Sequence, residues 1–439
     1  MITKIKKQLN KLDVHTLEVV KKSSSATVVK VLGMIAGLLV SVTLGRILGS
    51  KGLGIINLAN KIVSILIILS LIGMPQLLIK EIAIAYKKKD WQHISNCLNS
   101  AFKLNGAIAL GLSVLLIILT PWLCEHVFHE PDLKIPLIIA VSVMTPQVFS
   151  RIYSSGLVGF RKIWQSNLVN ESLSIAIAGI TLVVFWSLNI SITVITAAIA
   201  YGIGRVLVTL TVSIYWGKLF RQFKTKSVNV SGKLAKSAWP FLMVSATGII
   251  AANLDAVMIG WLGDVKEVGL YTVAARIAML TIFFLQVSNS AISPKLAALY
   301  AEGKIQEMNK MVQRVTGGLI VVAAVPLVIF FLFGGQILSF WGAEFKEAYW
   351  VLIILSVGQF FNIGTGASGL VLVMCGFEKL HAYITIGSVV CNLIICYILI
   401  PLFGAVGAAI GMTVSIAIEN VIKVVFAKKR TGVMTLPSL

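Results

Sequence analysis

Apolar stretches of about 20 residues recur along this chain between short polar connections. At about 1.5 Å per residue, each is long enough to cross the ~30 Å hydrocarbon core of a bilayer as a helix. Twelve can be read: 25–48, 55–79, 101–123, 135–159, 165–187, 190–216, 237–262, 269–293, 315–336, 348–374, 380–402 and 404–427. The expectation is an all-α integral membrane protein with twelve transmembrane helices. The polar, basic segment 217–236 lies between the sixth and seventh stretches. It predicts an N-lobe over 1–216, a cytoplasmic linker over 217–236 and a C-lobe over 237–439, with six helices in each lobe.

The two halves repeat. The run LGSKGLGIINLANKI from Leu48 aligns with LGDVKEVGLYTVAARI from Leu262 after one inserted residue, so that Gly54 matches Gly269, Ala59 matches Ala274 and Lys61 falls on Arg276. The surroundings of Tyr86 and Tyr300 are similar at nearly the same offset. Like-oriented repeats of this kind are related by an axis along the membrane normal, which predicts two pseudo-symmetric lobes around a central cavity. Gly33, Gly37, Ser41 and Gly45 form a small-residue stripe on the first stretch, and Gly407, Gly411 and Ser415 form another on the last. Such stripes let helices approach closely, and on the first stretch glycine also permits bending.

Composition agrees with the pattern, since 57% of residues are hydrophobic and only 13% charged. A soluble domain carries about 25% charged residues. The net charge of +21 would suggest nucleic acid if the cations were clustered without regard to the spans. Instead they concentrate in the N-terminus, the even-numbered connections and the C-terminus, while the odd-numbered connections hold Lys51, Lys134, Lys266 and Lys346. Cationic connections stay on the cytoplasmic side, so both termini are expected there and no nucleic-acid partner is implied. Ile2, Ile5, Leu9 and Leu12, opposite a lysine-rich face, read as an amphipathic helix on the inner leaflet or as a solvated tail. Cys97, Cys124, Cys375, Cys391 and Cys396 show neither metal-ligand nor disulfide-framework spacing.

Charges inside the spans are the candidate chemistry, because each costs at least about 2.5 kcal/mol at a helix centre unless it faces protein or water. Arg46, Lys61, Asp255 and Arg276 fall toward the outer side, and Lys30, Arg151, Glu171, Arg205, Glu419 and Lys423 toward the inner side. Lys61 and Arg276 stand out because they are well inside and occupy matching repeat positions. Two such cations can attract a phosphate or pyrophosphate, with arginine offering a bidentate fork. Asp255 reads either as a partner for Arg276 or as a protonation or sodium site, and Glu171 beside Arg151 poses the same choice. Glu419 and Lys423 have the spacing of a local ion pair. Gln286 with Asn289, and Gln359 with Asn362, are spaced to share a helix face, where they line a wet cavity for sugar hydroxyls or join packed spans.

The chain has no phosphate loop for ATP, no HExxH, and no long outer loop to seat a polymerase or ligase, so no catalytic residue and no cofactor are expected. The acidic outer segment with Glu125, His126, His129, Glu130 and Asp132 reads as a solvated loop ahead of a divalent-ion site.

The run RILGSKGLGIINLANKIVSILIILSLIGMPQLLIKEIA from Arg46, LDAVMIGWLG with VGLYTVAARIA, VMCGFEKLH from Val373 and PLFGAVGAAIG from Pro401 carry a family likeness. The sequence resembles the polysaccharide transporter branch of the multidrug/oligosaccharidyl-lipid/polysaccharide exporter superfamily, and within it the Wzx-type O-antigen flippases. That resemblance implies alternating access and movement of an undecaprenyl-pyrophosphate-linked oligosaccharide to the outer leaflet of the bacterial cytoplasmic (inner) membrane. It also implies a polysaccharide polymerase as a working partner. By motif position it assigns headgroup binding to Lys30, Lys61 and Arg276, and more loosely to Arg46 and Arg205. A drug or cation exporter of the same superfamily is the rival transporter reading; it calls for an anionic site where these spans are net cationic. A polymerase or ligase for the same lipid-linked sugars is the rival enzyme reading.

Phosphatase reporters inserted at Lys51, Lys134, Lys266 and Lys346 are expected to be active outside the membrane, and reporters at Lys88, Lys224 and Arg430 to be silent. The opposite pattern would invert the topology.

Overall fold

The computed structural model describes residues 14–221 and 228–437, without the side chains of 14–26, 171, 243–247 and 249. The segment carrying Ile2, Ile5, Leu9 and Leu12 lies outside the described residues, as do linker residues 222–227. Among the described residues there is no strand. The α-helices are α1 Val14–Leu71, α2 Met74–Lys88, α3 Trp91–Trp122, α4 Lys134–Ser142, α5 Met144–Gly159, α6 Ile163–Asn167, α7 Leu173–Ser187 and α8 Val194–Phe220. They continue as α9 Ser231–Leu262, α10 Val265–Ala278, α11 Ile282–Ala301, α12 Ile305–Ser339, α13 Tyr349–Gly364, α14 Ser368–Met374 and α15 Glu378–Thr431.

Among the described residues seven helices are long and apolar enough to cross a membrane, or up to nine if two pairs bent by 40° and 46° each form one span. The sequence offers twelve stretches. Part of the difference lies in α1 and α15, each of which holds two stretches on either side of a single glycine. Gly49 has φ 71° and Gly404 has φ 54°, a left-handed conformation that costs glycine little and other residues more. The helix that starts beyond each break needs acceptors for its first N–H groups. A glutamate from another element supplies one in both places. The Ser50 amide and hydroxyl donate to the Glu344 carboxylate at 2.9 and 2.6 Å, and the Ala405 amide donates to Glu267 Oε2 at 2.8 Å. A carboxylate at a helix N-terminus also meets the positive end of its dipole.

The chain divides into two compact units, one of residues 1–43, 63–121 and 134–246, the other of 44–62, 122–133 and 247–439. In the first unit Gly33 backs onto Ser172, whose hydroxyl donates to Val29 O at 3.0 Å, and Asn105 donates to Ser70 O at 2.7 Å. Phe160 gathers an aromatic cluster, 4.8 Å from Tyr86 and 5.3 Å from Trp216 between ring centroids.

The second unit is built on a close crossing of the 50–62 part of α1 with α10. A Cβ added to Gly54 would strike the Val265 carbonyl oxygen, and one added to Gly269 would strike that of Ser50. Each glycine thus lies against the carbonyl four residues before its own repeat partner. Three residues further along both helices, Asn57 Nδ2 donates to Thr272 Oγ1 at 2.8 Å. The matched segments therefore touch residue for residue and run parallel. The late small-residue stripe also packs closely: Gly407 faces the Leu399 carbonyl, Gly411 faces Cys396, and Ser388 donates to Ser415 O at 3.1 Å.

Gly54→Ala and Gly269→Ala should each destabilise the purified protein by about 1–3 kcal/mol, the usual cost of overpacking. Gly111→Ala, at a helical site with nothing within 4 Å, should be neutral or stabilise by up to about 1 kcal/mol. Thermal unfolding followed by fluorescence-detected size exclusion checks all three.

Candidate functional site

The crossing sets the next side chains on the same faces. From Gly54 and Asn57 the next residue toward α10 is Lys61, and from Gly269 and Thr272 it is Arg276, both at the four-and-three spacing that keeps a helix face in register. Both side chains are half-buried. Arg276 and Asp255 lie within electrostatic reach of the Lys61 ammonium, which also donates to Ala252 O at 3.2 Å.

Asp255, on α9, is only 5% exposed and heavily solvated by protein groups. Its Oδ2 accepts from the Tyr271 hydroxyl at 2.7 Å, its Oδ1 accepts from Asn392 Nδ2 at 2.6 Å, and Cys396 Sγ lies 3.9 Å from Oδ1. These bonds offset part of the cost of burying this polar group in apolar surroundings. Two basic side chains thus stand near this one buried acid. Like charges a few ångströms apart repel by roughly 1 kcal/mol in bulk water and by more as the dielectric falls. A dianion beside Lys61 and Arg276 would turn that repulsion into charge-assisted hydrogen bonding.

The remaining expected residues distribute as follows. Arg46 is exposed in the second unit, where its Nε donates to Phe340 O at 2.7 Å. Lys30 and Arg205 are half-buried in the first unit, Arg205 with Tyr201 and Arg151 within electrostatic reach. The side chain of Glu171 lies outside the described residues. Asn362 donates to Gln359 Oε1 at 3.3 Å and accepts from Asn420 Nδ2 at 3.2 Å, tying α13 to α15. Asn289 lines a cavity with Asn362, whereas Gln286 is exposed. Lys423 pairs with Glu419, which also accepts from Thr385 Oγ1 at 2.8 Å. In the acidic segment, Glu130 and Asp132 lie 2.9 and 3.8 Å from the Lys51 ammonium.

Tyr271 and Asn392 are the residues that the sequence reading missed. A signal existed for the first, since Tyr271 falls opposite Ile56 in the repeat. For the second it was weaker: a single amide within an apolar stretch.

A family model described as MatE matches residues 240–398. The probable low-salt glycan biosynthesis flippase Agl15 of Haloferax volcanii is 28% identical over 221 residues, covering 49% of this chain and 47% of that protein. The chain thus spans about half the length of that relative. Among solved structures, the lipid II flippase MurJ in an inward closed conformation superposes with a TM-score of 0.73 at 15% identity, over 92% of this chain and 87% of that one. An inward-facing multidrug resistance MATE family transporter of the MOP superfamily gives 0.71 at 15% identity, over 91% and 98%. These likenesses establish a shared fold. The model described as polysaccharide biosynthesis protein matches residues 19–300, well over half of the sequence, and the chain belongs to that family.

Proposed function

We propose that this protein is a flippase for a lipid-linked glycan. In this reading it moves an undecaprenyl-pyrophosphate-linked oligosaccharide, of the O-antigen repeat-unit kind, from the inner to the outer leaflet of a bacterial cytoplasmic membrane. Transport proceeds by alternating access through twelve spans in two six-helix lobes, with both termini in the cytoplasm and a polymerase of the same glycan as working partner. The span count draws support from the glycine breaks in α1 and α15, each of which divides one helical run into two segments.

The observation that carries the proposal is the Lys61 and Arg276 pair, set side by side by a glycine crossing within apolar helices. A cost of that size is understandable if a diphosphate is what the pair meets. The lipid tail stays in the bilayer, and the protein shields only the charged, hydrated headgroup, whose transfer through hydrocarbon is otherwise prohibitive. Lys30, Arg46 and Arg205 are assigned to headgroup binding in this scheme by their motif positions. Asp255 takes the role of coupling group, because Tyr271 and Asn392 solvate it and Lys61 is close enough to feel its charge. A cation exporter of the same fold would need the balance reversed at this site.

Charge-assisted hydrogen bonds are each worth about 1.5–3 kcal/mol, so Lys61→Ala and Arg276→Ala should each slow transport about 10- to 100-fold at unchanged protein level. The measure is translocation of a fluorescent lipid-diphosphate glycan in proteoliposomes; undiminished transport by the double variant would defeat the proposal. Asp255→Asn keeps the shape but not the charge. It should bind the lipid-diphosphate glycan normally yet lose any acceleration by an imposed proton or sodium gradient, and a variant that still responds to the gradient removes Asp255 from coupling.

A further inference from the structure

The second unit contains a cavity of about 330 Å³ at the meeting of α11, α13, α14 and α15, within the size range of small-molecule pockets. Leu285, Leu370 and Val373 supply an apolar wall, and Asn289, Asn362, His381, Asn420 and Lys423 supply polar groups. Gly369 keeps part of it open: a Cβ there would lie 3.0 Å from His381 Cε1 and 3.6 Å from Lys423 Nζ, so the imidazole and ammonium both lie over bare backbone.

The hydrogen-bonding state of these groups indicates what fits. Lys423 is neutralised by Glu419, and Glu419 is further held by Thr385, so the cavity offers no surplus positive charge for an anion. Asn420 and Asn362 are joined to each other and, through Gln359, fixed in orientation. Of the buried side-chain atoms without a partner among the described residues, two belong to residues lining this cavity, Asn289 Oδ1 and His381 Nδ1. The amide oxygen can only accept, so its partner must donate, as a hydroxyl does and a fully ionised phosphate does not; the imidazole nitrogen takes either role according to its tautomer. Buried polar atoms are nearly always satisfied, so an unpartnered pair lining one cavity suits a ligand rich in hydroxyl groups. The apolar wall matches the C–H face of a pyranose ring.

We infer that this cavity binds a neutral sugar ring, held by Asn289, Asn362, His381 and Asn420 against Leu285, Leu370 and Val373. Naming the transported glycan as the source of that sugar rests on the function proposed above; the chemistry of the cavity does not. The site is separate from the cationic pair on α1 and α10, so it reads hydroxyl groups where that pair reads charge.

The test is saturation-transfer NMR on the full-length protein in nanodiscs with a panel of neutral methyl glycosides, repeated with inorganic phosphate or pyrophosphate added as a competitor. At least one glycoside should give a signal. Loss of one buried hydrogen bond weakens a ligand about tenfold, so His381→Phe and Asn420→Leu should each reduce binding by that factor. The cavity-filling Gly369→Val should do the same, whereas Gly111→Ala should have no effect. Thermal unfolding of each variant separates a lost site from a lost fold, and Asn289→Ala provides a further variant from a different helix should one fail to fold. Displacement of the glycoside by phosphate or pyrophosphate, no signal from any glycoside, or a signal indifferent to every folded variant would each overturn the inference. A short-chain lipid-diphosphate glycan should displace the glycoside where the same lipid without sugar does not. Absence of displacement would give the site to a free sugar and break its link to transport. Glycoside binding by a protein that moves no lipid would instead count against the flippase reading alone.

Discussion

The second unit depends on two backbones approaching closer than side chains allow. Gly54 and Gly269 each face a main-chain carbonyl of the opposite helix, and no other residue lacks the Cβ that would collide with it. The contact has little hydrophobic drive inside a membrane, where lipid tails are as apolar as leucine. Its stabilisation comes from dispersion between closely apposed atoms and from interhelical hydrogen bonds such as Asn57 to Thr272, of a kind that averages about 0.6 kcal/mol. The consequence is positional. Once the glycines fix the crossing, helical geometry leaves Lys61 and Arg276 no choice but to be neighbours.

A crossing of this kind needs the two helices to start at the right place, and the glycine breaks perform that task. Gly49 ends one helical run in a left-handed residue and allows the 50–71 segment to begin at Ser50, where Glu344 takes the amide and the hydroxyl. The same arrangement recurs at Gly404, with Glu267 on the Ala405 amide. Glu267 belongs to the first turn of α10, the helix that also carries Gly269 and Arg276. One short helix therefore anchors the crossing, bears half of the cationic pair and caps the last long segment of the chain. A change in its first turn would be felt in all three.

Much of this was legible in the sequence, for reasons that can be stated residue by residue. Apolar stretches announce membrane helices because hydrocarbon tolerates little else, and the repeat around Gly54 and Gly269 survives because both copies must solve the same packing problem. That the two copies touch each other was not legible: a repeat says that two segments resemble one another, and only the fold says that they meet. The surroundings of Asp255 were hidden for a similar reason. Tyr271 is 16 residues away and Asn392 is 137 residues away, and nothing local to any of the three demands the others. The breaks in α1 and α15 were read as ordinary connections, since a single left-handed glycine between two apolar runs leaves the same trace as a short loop. Gln286 and Asn289 show the limit of periodicity: both fall on one helical face by spacing, yet one is exposed while the other lines the cavity, because a helix face is wider than the opening it borders.

The two polar places of the second unit differ in a way that bears on selectivity. In the function proposed above, Lys61 and Arg276 hold a compact dianion through charge, which reads its identity poorly. In the cavity beside His381 charge is cancelled locally, and what remains is a set of directional donors and acceptors with fixed orientations. Discrimination between ligands is strongest where a buried polar group is left unpaired by the wrong one, and weakest where a diffuse field does the holding. A carrier whose lipid substrates share a diphosphate but differ in sugar gains from keeping these functions apart. On the proposed function, the cationic pair sets whether a headgroup is held at all, and substitutions among the amides alter which glycan is preferred without disturbing the charge that every substrate shares.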